Sequence, residues 1–104
     1  MKLSAYLPTD RNPFTGTKEL TPPVRVRIKF LPERYFSKTS MLGETRADYL
    51  EKMRADGIQL HKTYSAIRVN GYGDVADLVV INDNGEEKSF MAFLFRDADE
   101  SLGE

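Results

Sequence analysis

The sequence predicts an α+β domain: a small antiparallel sheet of four or five strands in β-α-β-β-β order, with one helix and a barrel-like closure as the main variant. Three observations carry this. Val24–Leu31 alternates between apolar and cationic residues as far as Phe30. Thr45–Asp56 holds a helical stripe between a capping residue and a glycine. The remainder contains three strand-like runs, two of them joined by Asp83-Asn84-Gly85.

Residues 1–23 read as an extended, turn-rich segment. Lys2–Leu7 alternates weakly and is a candidate for an extra edge strand. Thr9-Asp10-Arg11-Asn12-Pro13 and Phe14-Thr15-Gly16-Thr17 carry turn residues. Pro22-Pro23 is expected to block continuation, so the first main strand starts at Val24. In that strand Val24, Val26, Ile28 and Phe30 share one face, and Arg25, Arg27 and Lys29 the other. Pro32 ends it.

In the helix, Thr45 and Asp48 have the spacing of a capping box. Ala47, Leu50 and Met53 with Tyr49 form a narrow apolar stripe. Gly57 stands at the C-terminal stop. Tyr64–Asn70 then alternates as a strand, and Asn70-Gly71-Tyr72-Gly73-Asp74 reads as a loop. Ala76–Asn82 contains a continuous apolar run, the mark of a strand buried on both faces. Asp83-Asn84-Gly85 is a hairpin turn, and Glu87–Phe95 returns as its partner strand. Residues 97–104 are acidic, lack periodicity and read as a flexible tail.

The chain has 104 residues, enough for one domain and one core. Without cysteine it has no disulfide framework, thiolate zinc site or Cys nucleophile, which fits a reducing, cytoplasmic setting. No apolar run approaches the length of a membrane span, and Met1–Pro8 lacks the apolar core of a secretory signal. The net charge of −1 conceals a gradient: +5 over residues 1–40, −1 over 41–80 and −5 over 81–104. Such a chain either neutralises itself in the fold or offers a basic face to an anionic partner.

Catalytic and metal chemistry find little support. His61 is the only histidine, and a metal site around it needs carboxylates from elsewhere. The acids Asp97, Asp99 and Glu100 lack calcium-loop spacing. Gly71-Tyr72-Gly73 is not followed by a helix N-terminus, as a phosphate cradle requires. No serine sits in a nucleophile elbow. No cofactor and no metal are expected, and an enzyme centred on His61 is the least supported reading.

Two readings remain. The first is a non-enzymatic interaction module, an accessory, assembly or inhibitor protein that works through protein–protein contacts or self-association. The second is a single-stranded nucleic-acid binder. It would use Arg25, Arg27 and Lys29 with the following Arg34, Tyr35, Phe36 and Lys38, because single strands are held by cationic grooves and aromatic stacking platforms. Tyr6, Phe14, Tyr64 and Tyr72 are further candidate rings. The same cations also suit a wet strand face that pairs with Glu86 or Glu87.

Overall fold

The structure, a computed structural model, describes residues 2–99. Five antiparallel strands and one helix follow in the order β1 (Phe14–Ile28), α1 (Arg46–Ala55), β2 (Tyr64–Gly73), β3 (Val75–Ile81), β4 (Glu87–Met91) and β5 (Phe95–Asp97). The strands form one sheet in the order β4-β3-β2-β1-β5. Among the described residues, no helix is long and apolar enough to cross a membrane.

The connection from β4 to β5 dictates the shape of the sheet. These are its two outer strands, yet only the 3-10 turn Ala92–Leu94 separates them. In a flat sheet the outer two of five strands lie about 19 Å apart. A three-residue 3-10 turn advances only about 6 Å. The sheet therefore curls into a half-barrel, and the core fills its concave side. Val26, Ala66, Val69, Leu78 and Val80 are wholly buried there, and Ile28 nearly so. The alternation expected from Val24 onward holds, with Val24, Val26 and Ile28 facing inward.

The first strand is longer than its sequence suggests. It runs through Pro22-Pro23, with a cis bond between Thr21 and Pro22. Its register against β2 shifts between Glu19 and Val24, so four residues of β1 bypass regular pairing at a bulge. The two prolines sit inside that bulge, where their missing N–H groups leave no ladder bond unmade. Two further boundaries move. Leu3–Ala5 is a 3-10 turn and not an edge strand. The fifth strand is instead β5, because the expected Glu87–Phe95 strand breaks at Ala92–Leu94 to cross the sheet. Asp97 accordingly belongs to β5 and is buried, accepting the backbone N–H of Leu3 at 2.7 Å. Residues 100–104 of the acidic tail lie outside the described residues.

The helix forms where its caps place it. The Thr45 side chain accepts the Asp48 N–H, and the Asp48 carboxylate accepts the Thr45 N–H. Gly57 follows with φ +84°, which only glycine adopts freely. Tyr49 and Met53 are the residues that α1 buries, and Tyr49 packs on Phe36 with ring centroids 5.6 Å apart. Ala47, counted in the stripe from its spacing, is exposed.

Tyr49 is also a polar residue in an apolar place. Its hydroxyl is buried with no hydrogen-bond partner among the described residues. Burial pushes its pKa up from 10.0 to about 12. A folded-state value above the unfolded one means that this contribution is whole below pH 10 and is lost as pH rises through about 12. Tyr49→Phe is expected to stabilise the fold by about 1 kcal/mol, the desolvation cost of one unmade hydrogen bond. It should also flatten the alkaline fall in stability. Urea unfolding at neutral and alkaline pH measures both effects.

A polar cluster ties the helix exit to the β3–β4 hairpin. Asp83 accepts from the Lys62 ammonium, from Gln59 Nε2 at 2.7 Å and from the Tyr64 hydroxyl at 3.1 Å. The Lys62 bond above all holds the Asp83 carboxyl below its ordinary range. The Asp83 N–H donates to the Gly57 carbonyl at 2.9 Å, which locks the helix stop to the turn.

Candidate interaction surface

The β2–β3 hairpin contributes to an exposed apolar feature. Its strands continue through the glycines that read as a loop, because the Phe14 ring lies directly against Gly71. Tyr72 pairs with Val75 across a short turn at Gly73-Asp74, where Gly73 has φ +86°. Asp77 pairs with Met91 of β4, so Tyr72, Val75, Asp77 and Met91 share one sheet face. The 3-10 turn after β4 adds Phe93, and the N-terminal segment adds Leu7 and Pro8. These residues line a concavity of about 340 Å³. Tyr72 is 58% exposed, Val75 61%, Phe93 43% and Met91 38%. Large apolar side chains gathered in one place on a sheet surface mark a contact site more often than scattered ones do. Asp74 and Asp77 also line this concavity.

Of these residues, only Tyr72 stands out in the sequence. Val75, Met91 and Phe93 look like ordinary strand positions. Their signal is an excess: Phe90, Met91, Phe93, Leu94 and Phe95 are more apolar residues than one strand face buries. The concavity takes residues from the N-terminal segment, the hairpin, β4 and the 3-10 turn, which meet only because the sheet curls.

The basic strand face is assembled differently from a free cationic row. Arg25 is exposed and stands opposite Ser65. Arg27 is half-buried, pairs in register with Arg96 of β5, and donates from Nη2 to the Ala98 carbonyl at 2.8 Å. Lys29 is half-buried, with its ammonium 5.6 Å from the centre of the Phe93 ring. The C-terminal segment thus runs alongside the basic strand. It brings Asp97 and Asp99 to the concavity that Arg25 lines. Glu87 partners neither Arg25 nor Arg27 here. It accepts from Arg68 Nη1 at 3.0 Å, while Arg68 Nε donates to Glu19 at 2.5 Å. These two carboxylates hold the Arg68 pKa above its ordinary value.

The residues after the strand do not join this row as one platform. Arg34 and Tyr35 are exposed, with the guanidinium 5.3 Å from the Tyr35 ring centre, and Lys38 is exposed. Phe36 is only 8% exposed and packs in the core against Tyr49, so it offers no ring to a base. Of the other candidate rings, Tyr64 is buried, Phe14 is half-buried against Gly71, and Tyr6 is half-buried. His61 is exposed, with φ +70°, and lines none of the concavities described here.

Comparison with known proteins finds no match for this chain among family models, curated proteins or solved structures.

Proposed function

We propose that this chain is a non-enzymatic protein-interaction module, and that the hairpin concavity is its docking surface. The observation that carries this reading is the gathering of exposed Tyr72, Val75, Met91 and Phe93 around one concavity. Burying such side chains against a partner is favourable by roughly 25 cal/mol for each Å² of apolar surface removed from water. The occupant follows from the lining. Its centre is apolar and takes an apolar anchor, and Asp74 and Asp77 at the hairpin favour Lys or Arg beside that anchor. The partner is therefore a protein segment that presents an apolar residue flanked by a base. The curled sheet supplies a rigid frame for such contact, suited to an accessory or assembly protein.

The probe is a short peptide with a Leu-Phe-Leu centre and Lys at each end. Added to the isotope-labelled protein, it is expected to move the amide resonances of Tyr72, Val75, Met91 and Phe93. A counterpart with Glu in place of Lys is expected to bind more weakly. An oligo-dT strand at low salt is the competing ligand. If it binds with salt-sensitive affinity and shifts Arg25 and Arg34 while the peptide shifts nothing, the function is nucleic-acid binding and this reading fails.

A further inference from the structure

We infer that the N-terminal half of β1 is a self-association edge: Phe14–Leu20 of one copy pairs antiparallel with Phe14–Leu20 of a second, about a two-fold axis at Thr17. This goes beyond the docking surface above and uses a different part of the molecule.

β1 pairs with β2 on one side from Phe14 to Glu19 and again from Val24 to Val26. On its other side β5 covers only Val26, Arg27 and Ile28. Among the described residues, no strand pairs with that second edge between Phe14 and Leu20. Sheet edges of this kind are templates for another strand, and proteins blunt them with proline, charge, bulges or covering segments. Within this stretch the only such device is the charge of Lys18 and Glu19; the prolines, the bulge and the covering strand lie elsewhere. Pro22 and Pro23 occupy the bulge, and β5 covers the end of β1. The opposite outer strand, β4, is five residues long and begins with Glu87 and Lys88. From Thr15 to Glu19 every residue is exposed, so no layer covers either face of this stretch. Its register against β2 is regular through this stretch, with Gly16 at φ +128°.

The charges of this stretch select the partner and the register. A two-fold axis at Thr17 sets Phe14 opposite Leu20, Thr15 opposite Glu19, and Gly16 opposite Lys18. No like charges then face each other. Moving the axis to Lys18 or Glu19 sets two like charges directly opposite, which is unfavourable across strands. An isologous contact of this kind closes at two copies and gives a dimer rather than a filament.

The absence of cysteine makes the test direct. In the proposed register the two Thr17 Cα atoms face each other about 4.5–5.5 Å apart, inside the range a disulfide spans. The two Thr15 residues are separated by four residues along the strands, about 13 Å, and are out of reach. Thr17→Cys and Thr15→Cys proteins are oxidised with copper-phenanthroline and run without reductant. Fast covalent dimerisation of Thr17→Cys with little from Thr15→Cys is expected. Equal rates at both positions overturn the register.

Sedimentation of the unmodified protein gives the second readout. A concentration-dependent dimer is expected, several-fold weaker in Thr17→Lys, where two ammonium groups meet at the axis. Thr17 is exposed, so circular dichroism should show the same fold in that variant. A strict monomer up to millimolar concentration overturns the proposal. So does a dimer that Thr17→Lys leaves unchanged. Val75→Asp should leave the dimer intact, which separates this edge from the docking surface.

Discussion

Asn82→Ala is expected to cost the fold roughly 3 kcal/mol, the largest loss from any single polar side chain among the described residues. Asn82 is 6% exposed and sits between the end of α1 and the β3–β4 turn. Its Nδ2 donates to the Asp56 carbonyl at 2.9 Å, and its Oδ1 accepts the N–H groups of Asn84 and Glu86, both at 2.9 Å. One amide therefore satisfies a helix-terminal carbonyl and shapes the hairpin. Alanine leaves all three backbone groups without that partner in a partly buried place. Asn82→Asp separates the two functions. It retains the acceptor for the turn but sets an oxygen against the Asp56 carbonyl. Most of the alanine loss is expected to reappear in that variant. Urea midpoints with an unchanged denaturant slope give the comparison. A loss below about 1 kcal/mol in Asn82→Ala would show that the latch is replaceable by water.

Gly71→Ala is expected to cost roughly 2–3 kcal/mol, although Gly71 lies inside a strand and its φ is not in the left-handed region. The cause is space. A Cβ at this position would stand 2.5 Å from Cε2 of Phe14 and 2.7 Å from the Phe14 carbonyl oxygen. The ring is able to swing aside, but the carbonyl belongs to β1 and moves only with the strand. Removing the ring with Phe14→Ala should therefore rescue Gly71→Ala only in part. A full rescue in the double variant would assign the whole cost to the ring. Gly85 makes a control of another kind. It has positive φ but open surroundings, so alanine there meets backbone strain without a clash.

These two sites also show what the sequence conceals. The helix was legible because its signals are local: Thr45 and Asp48 bond to each other's backbone, and Gly57 follows at the stop. The turn at Asp83-Asn84-Gly85 was legible for the same reason. Gly71 was not. A glycine flanked by another glycine two residues on has the composition of a loop, and only Phe14, 57 residues away in the chain, shows that it is a strand position cleared for a ring. Pro22-Pro23 misled in the opposite direction. Proline ends a strand where its N–H is needed, and the bulge of β1 does not need it.

The basic strand and the hairpin concavity divide in the same way. The period of two in Arg25, Arg27 and Lys29 was correct, but its meaning depended on β5, which lays Arg96 beside Arg27 and brings Asp97 and Asp99 near Arg25. The charge gradient along the chain is thus partly folded against itself. The concavity at the hairpin had no local signature, because Leu7, Val75 and Phe93 meet only through the curl that the short β4–β5 connection imposes.

The decisive measurement is calorimetric binding of the Lys-flanked Leu-Phe-Leu peptide to the unmodified protein and to Val75→Asp. Val75 is 61% exposed, so the variant should unfold at the same temperature as the parent. Loss of peptide binding at unchanged stability is the expected result. Undiminished binding in Val75→Asp would contradict the docking surface.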